Sequence, residues 1–262
     1  MKISVCYNSL MDNSAQVMKN LSELCVKYSL EYDVLDIDNL KPGADMAFVI
    51  GGDGTILKAA RFFAQYATPI FGINLGRLGF LSQTLPDSLE DSLNKILSGD
   101  YKIENRMMLK SGEYTALNDF VVKGGLSGRT SRFALEIDGK FVCEYLADGI
   151  IVSTPTGSTA YAMAAGGPIL ATDIDALTIV PICPHTLTAR PIVVSAGSNI
   201  KILPAKNNEY NVSADGQVAF ILKSNLCIEK YEKMARLVLL NENNFYDVIR
   251  NKLQWGVSPA KN

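Results

Sequence analysis

Histidine is almost missing from this chain of 262 residues: His185 stands alone. With one histidine and no Cys-x-x-Cys pair, a structural zinc site is not expected. The five cysteines (Cys6, Cys25, Cys143, Cys183 and Cys227) are odd in number and sit mostly in apolar contexts. They read as reduced packing residues of a cytosolic protein, not as a disulfide framework or a thiol nucleophile. Basic excess is also lacking. Lys and Arg number 25 against 27 Asp and Glu, a formal net charge of −2, which argues against a nucleic-acid surface and leaves any charged ligand to be handled locally. No apolar run approaches the roughly 18 residues of a membrane span, and no secretory signal pattern opens the sequence. The expectation is a cytoplasmic protein with no membrane partner. Nothing repeats at a fixed period, so propellers and solenoids are not indicated.

What the chain does have is glycine placed after apolar strands. Met46 to Ile50 reads as a buried strand, Gly51-Gly52-Asp53-Gly54-Thr55 as a turn, and Ile56, Ala59, Ala60 and Phe63 as one face of a helix. Gly51, Gly52 and Gly54 would let a phosphate approach backbone N–H groups, and the helix start adds its positive end. Asp53 is not explained that way, since a fixed negative charge gains a phosphate cradle nothing. An acid there suits a group that orients a hydroxyl or a metal beside a phosphate. A second turn, Asn74 to Leu81, follows the strand Pro69 to Ile73 and should open on the same sheet edge. There Arg77 either pairs with a phosphate or is solvated, and Phe80 either stacks on a base or anchors its loop.

Around these turns the elements alternate. Lys2 to Tyr7, a helix marked by Val17, Leu21, Leu24 and Tyr28, and Tyr32 to Ile37 form a βαβ opening, which implies a parallel sheet with ligands at its carboxyl edge. Asp87 and Glu90 read as a capping box before a helix with Leu89, Leu93, Ile96 and Leu97 on its apolar face. From Tyr101 the texture turns to short apolar or alternating runs: Ala116 to Val122, Phe133 to Ile137, Phe141 to Leu146, Ile150 to Ser153, Leu177 to Ile182 and four more up to Glu229. Asp138-Gly139 suits a hairpin turn. The predicted fold is α/β: a parallel α/β sheet domain over 1–99, then a β-rich, sandwich-like domain over 100–240. In 241–262, a helix marked by Phe245, Val248, Ile249 and Leu253 returns to the first domain before a frayed tail, Ser258 to Asn262.

One segment interrupts the β rhythm. Asp148-Gly149 leads a strand into Ser153-Thr154-Pro155-Thr156-Gly157-Ser158-Thr159-Ala160-Tyr161, where Thr156 is placed to cap a short helix ending at Gly166-Gly167-Pro168. The cluster of hydroxyls and free N–H groups would suit a nucleotide's ribose, base edge or phosphate; a well-capped short helix is the plainer alternative.

Together with the glycine-aspartate turn, this segment resembles the NAD kinases. The resemblance also takes in Gly72 to Leu81, Ala116-Leu117-Asn118-Asp119, Asp148-Gly149, Pro184-His185-Thr186-Leu187 with Ala189-Arg190-Pro191, and Asp215-Gly216. The first motif is shared with phosphofructokinases and lipid kinases; the ordered set is specific. The resemblance implies that NAD is phosphorylated on its adenosine 2′-hydroxyl by ATP, held with a divalent cation such as Mg2+, and that Asp53 acts on the attacking hydroxyl. It implies that Asn118 reads the adenine and Asp119 the ribose, with Asp standing where many members have Glu. By the same route Thr156, Thr159, Ala160, Tyr161 and Phe80 surround the adenine, Asp148 lies toward the nicotinamide half, and Asp215 lies near the dinucleotide. Gly54 joins Asp53 at the NAD side of its turn, while Gly51, Gly52, Gly54 and Arg77 face phosphates. A homodimer or homotetramer is implied, and polyphosphate is an alternative donor.

Ala162 and Ala164 stand where many members have Ser, and Leu146 where some have Arg, so the nicotinamide end departs from the family pattern. His185 reads as a structural histidine at a loop or subunit contact. Two rivals remain: a lipid or sugar kinase sharing only the glycine-aspartate turn, and a catalytically silent NAD or NADP sensor.

Overall fold

Apolar runs spaced by about one helix length build the first sheet. The computed structural model describes residues 1–77, 79–124, 130–205, 210–222, 224–240 and 245–254; Leu78 of the second glycine turn and the Ser258 to Asn262 tail lie outside them. Strand β1 (Lys2–Tyr7), helix α1 (Ser14–Lys27), β2 (Glu31–Asp36), β3 (Met46–Ile50), α2 (Asp53–Phe63), β4 (Ile70–Ile73), α3 (Leu89–Leu97) and β5 (Tyr101–Arg106) follow in order. All five residues of β3 are buried, as expected of a parallel strand covered on both faces. The sheet order is β2-β1-β3-β4, then the late strand Ala235–Leu240, then β5. Strands β1 to β4 are parallel, and Leu237 pairs with Ile70 in the same sense. The order reverses between β1 and β3, which is a topological switch point, and the glycine-aspartate turn sits at the carboxyl end of β3.

Ala235–Leu240 is not among the strands read from the sequence, yet Val238 and Leu240 join the core of Ile3, Val5, Phe48, Ile50, Phe71 and Ile73. The helix Phe245–Leu253 follows it and buries Ile249. By internal contacts, 1–105 and 235–262 form one compact unit and 106–234 another. The capping box is not formed. Ser88 precedes α3 without a side-chain cap, and Glu90 is drawn away to accept from Lys27 Nζ (2.5 Å) and the Tyr28 hydroxyl (3.0 Å).

The second unit carries β6 (Leu109–Ser111), β7 (Tyr114–Ala116), β8 (Asp119–Gly124), β9 (Ser131–Ile137), β10 (Lys140–Ala147), β11 (Gly149–Ser153), α4 (Tyr161–Ala164) and β12 (Ala176–Ile182). It ends with β13 (Ile192–Ser195), β14 (Ile200–Pro204), β15 (Tyr210–Ala214), β16 (Val218–Leu222) and β17 (Leu226–Lys230). Two six-stranded sheets result, β10-β9-β14-β17-β6-β7 and β13-β12-β11-β8-β15-β16. Phe120, Val122, Ile150, Val152 and Val212 of one share a core with Phe133, Leu135, Ile200, Ile202 and Ile228 of the other, the sandwich-like arrangement expected.

Burial explains the two kinds of strand pattern. On the outer face of the second sheet Val121, Ile151, Val180 and Ile182 pack with Ala162 of α4, so β11 and β12 are buried on both sides and read as unbroken apolar runs. Strand β9 is not covered in this way and alternates. Asp138 (φ 51°) and Gly139 (φ 75°) make the β9–β10 turn with both residues at positive φ, as a two-residue type I′ hairpin requires. The run Ala116 to Val122 is split: β7 ends at Ala116 and β8 begins at Asp119, leaving Leu117 and Asn118 as a connection. Cys6 and Cys25 are packing residues, and burial pushes the Cys25 thiol up to about 11 and the Cys6 thiol higher still. Cys183 and Cys227 are exposed instead; Cys227 occupies an outward position of β17.

Candidate active site

In the first unit, two glycine turns leave adjacent parallel strands and meet. Gly52 starts α2 in an extended conformation, and Asp53 is the first residue of the helix, where the N-terminal dipole favours its charge. Its carboxylate reaches across to the turn after β4 and accepts the N–H groups of Phe80 (Oδ2, 2.9 Å) and Leu81 (Oδ1, 3.3 Å). Gly79 is needed for this approach, because a Cβ there would overlap the Asp53 carboxylate. Gly51 is buried, donates its N–H to Ile73 O (2.9 Å) and so ties the two turns at their base. Gly54 and Arg77 are exposed, and the ring-bearing Phe80 is half-buried. Asp53, Gly51, Gly52, Gly54, Arg77 and Phe80 therefore belong to one pair of turns. The clamp on Asp53 has no signal in either motif alone; it follows from the parallel pairing of β3 with β4.

In the second unit, a cavity of about 410 Å³ is lined by Asn118, Asp119, Ala160, Tyr161 and Asp215, together with residues that the motifs do not mark, among them Val121, Lys123, Asn211 and Ser213. Strand geometry accounts for the additions. Asp119, Val121 and Lys123 occupy alternate positions of β8; Asn211 and Ser213 alternate on β15, opposite Lys123 and Val121. The other positions of β15, Tyr210, Val212 and Ala214, are buried in the sandwich core. The polar half of that alternation was the available signal. Lys123 Nζ lies 5.0 Å from the Tyr161 ring centroid, a cation–π distance at the pocket wall.

The connection Leu117-Asn118 is tied on every side. Asn118 O accepts from Thr154 N–H (2.9 Å) and Ser153 Oγ (3.3 Å), and Thr154 Oγ donates to Leu117 O (2.6 Å). Gly157 packs directly on Asn118: a Cβ at that glycine would overlap the Asn118 carbonyl oxygen and lie 2.5 Å from its carbon. The backbone is held while the Asn118 side chain is left to the cavity.

The hydroxyl-rich turn behaves differently from expectation. Thr156–Thr159 is a 3₁₀ turn that Pro155 precedes, and Thr154 Oγ, from just ahead of it, accepts the Gly157 N–H (3.1 Å); Thr156 is not the capping residue. Thr156 Oγ accepts from the buried Arg106 (3.3 Å), Thr159 Oγ donates to Thr156 O (3.2 Å), and Ser158 Oγ donates to Pro155 O (2.7 Å). Thr156 and Thr159 do not line the cavity; Ala160 and Tyr161, one turn on, do. Asp148 is exposed between β10 and β11 and also lies outside the cavity lining. His185 is exposed, with its backbone N–H on Leu146 O (2.8 Å).

Asp119 is 4 % exposed, at the wall of the cavity. Burial, and then the negative charge of Asp215, push its pKa up to about 7. An acid raised by folding binds more protons folded than unfolded, so its contribution to stability falls as pH rises from about 4 through 7. Asp119→Asn should therefore stabilise the ligand-free protein near pH 8, by about 2–4 kcal/mol, and little near pH 4. Thermal unfolding at both pH values tests this; an equal effect at both would contradict it.

Both halves of the chain are similar to known proteins. The ATP-NAD kinase N-terminal domain matches residues 4–101 and the ATP-NAD kinase C-terminal domain matches 117–230. An NAD kinase of Azotobacter vinelandii is 43 % identical over 94 % of this chain and 88 % of its own. One of Pseudomonas fluorescens strain SBW25 is 46 % identical over 81 % and 76 %. The crystal structure of an NAD kinase from Archaeoglobus fulgidus in complex with ATP superposes with a TM-score of 0.81 at 28 % identity, covering 97 % of this chain and 99 % of that one. Yeast NADH kinase complexed with NADH shares the fold, with a TM-score of 0.87 at 22 % identity over 100 % and 89 %. Matched in both of its halves and alike to these relatives over most of its length, the chain belongs to the NAD kinase family.

Proposed function

We propose that this chain transfers the γ-phosphoryl group of ATP to the adenosine 2′-hydroxyl of NAD, making NADP. The observation that carries the reading is the second unit's cavity, where Asn118, Asp119, Ala160 and Tyr161, drawn from two separate motifs, line one space of nucleoside size. Asn118 offers an amide to the adenine edge, Asp119 an acceptor to ribose hydroxyls, and Tyr161 a ring face; Thr156 and Thr159 support the turn that presents Ala160 and Tyr161. Asp148 is assigned toward the nicotinamide half on the family resemblance.

Asp53 is the group that acts on the attacking hydroxyl. Phosphoryl transfer passes through a loose transition state, so most of the acceleration comes from positioning and charge neutralisation, and a weak base fixed in place suffices. The two backbone donors on Asp53 supply that fixing. The first-turn N–H groups after Gly51-Gly52, with Gly54 and the exposed Arg77, suit the donor's phosphates, and Phe80 lies beside them. Among the described residues no three of His, Cys, Asp and Glu gather to hold a resident metal. The residues present fit a Mg2+ carried by the phosphates, with Asp53 as the nearby carboxylate. When bound, such a cation neutralises charge on the transferring group.

No helix among the described residues is long and apolar enough to cross a membrane. A cytoplasmic homodimer or homotetramer is the form proposed, on the family resemblance, and polyphosphate is a second candidate donor. Purified protein incubated with NAD, ATP and magnesium should form NADP, and a chelator should stop it. Folded protein that binds NAD yet forms no NADP would favour the sensor reading and overturn this one.

A further inference from the structure

Asp215 lies at a turn after β15, at φ 51°, with Gly216 beside it at φ 65°. Its carboxylate accepts three backbone N–H groups from a segment nearly a hundred residues away: Leu117 on Oδ2 (3.0 Å), and Asn118 (2.7 Å) and Asp119 (3.3 Å) on Oδ1. In return the Asp215 N–H donates to Asp119 O (2.9 Å). A carboxylate has about four acceptor sites, and three are taken here by the protein's own backbone. Little capacity is left for a ligand hydroxyl, although the residue borders the cavity. Two of these three N–H groups belong to Asn118 and Asp119, which line the cavity, so the geometry that aims them is set from Asp215.

We infer that Asp215 is a positioning residue, which pins the Leu117–Asp119 backbone and so fixes how Asn118 and Asp119 meet the adenosine end of NAD, in place of touching the dinucleotide itself. The inference rests on the NAD reading of the cavity for its functional half; its structural half does not.

Asp215 also faces Asp119 with like charge. The other titratable groups lining the cavity are Lys123, four residues on from Asp119 along β8, and Tyr161, the first residue of α4; β11, which pairs with β8 on the other side, contributes none. Burial, and then the charge of Asp215, raise the pKa of Asp119. Removing the Asp215 charge therefore makes Asp119 easier to ionise.

The test is Asp215→Asn in the full chain. Asparagine keeps one acceptor oxygen for the Asn118 and Asp119 N–H groups but turns an N–H2 toward that of Leu117. The KM for NAD near pH 8 should rise about tenfold, the effect of roughly one charge-assisted hydrogen bond, while kcat at saturating NAD stays within about twofold. In the wild type, KM for NAD should climb as pH falls through about 7, where Asp119 takes up its proton; in the variant this limb should move to lower pH. An unchanged KM with an unmoved limb overturns the inference, and so does a fall in kcat alone. Amide hydrogen exchange of the ligand-free wild type is the second measurement, independent of how the variant folds. Leu117, Asn118 and Asp119 should be protected like strand amides, and loop-like exchange there overturns the clamp. Should the wild type not bind NAD by calorimetry while those amides are protected, the NAD reading fails and the clamp stands.

Discussion

Replacing Asp53 by Asn lowers the rate of NADP formation by about 10²–10⁴-fold, the range for removing a positioned base from a transfer step. The substitution preserves shape but not function. One oxygen remains to accept a backbone N–H, while the amide group that replaces the other faces the N–H of Phe80 or Leu81, so one of the two contacts is lost. The favourable charge at the start of α2 goes as well, worth about 0.3–1 kcal/mol. A modest fall in Tm should accompany a much larger fall in kcat, with the KM for NAD changing by less than about tenfold, because the cavity of Asn118 and Asp119 is untouched. Steady-state kinetics with NAD varied, beside a melting curve, separates these effects. Wild-type turnover in the variant would remove the role assigned to the carboxylate while leaving the family assignment intact.

Gly157→Ala acts on the other half of the machinery. The added methyl overlaps the Asn118 carbonyl oxygen and comes within 2.6 Å of Ser153 Oγ. None of these neighbours is free to retreat: Asn118 O already holds Thr154 N–H and Ser153 Oγ, and the Asn118 N–H is bound to Asp215. Overpacking of this kind costs about 1–3 kcal/mol. The expected result is a lowered Tm together with a KM for NAD raised tenfold or more, on the order of 1.4 kcal/mol or above in binding. The KM for ATP should change far less. An alanine variant that melts and binds NAD like the wild type would show that the Gly157–Asn118 approach is not a constraint.

Local signals were reliable where one face of an element decides its fate. Ile56, Ala59, Ala60 and Phe63 recur at helical spacing and are among the buried residues of α2; the period is visible because its causes lie within eleven residues. Signals failed where a distant partner competes. Glu90 satisfies every local requirement of a capping box, yet Lys27 and Tyr28, at the end of another helix, capture it. Thr156 stands at a plausible cap position, but Arg106 takes its hydroxyl and it is Thr154 that accepts the Gly157 N–H. The clustered hydroxyls of 153–159 look available in the sequence; in the fold they wire their own turn to Leu117 and Asn118. Ala235–Leu240 was missed because its place depends on an edge of β4 made more than 160 residues earlier.

The order of motifs in the sequence sufficed to establish the family and its α/β and β-rich halves. Those are properties of residue type and short-range spacing: glycine where a backbone must turn, apolar runs where a strand must be covered, a carboxylate where no phosphate cradle needs one. Tertiary structure alone decided what each group is bonded to. Asp53 is clamped by Phe80 and Leu81 because β3 and β4 are parallel neighbours, and Asp215 grips Leu117 to Asp119 because β15 pairs with β8. Hydrogen bonds are short and directional, so their partners are fixed by which strands lie side by side, and that pairing is a property of the whole sheet.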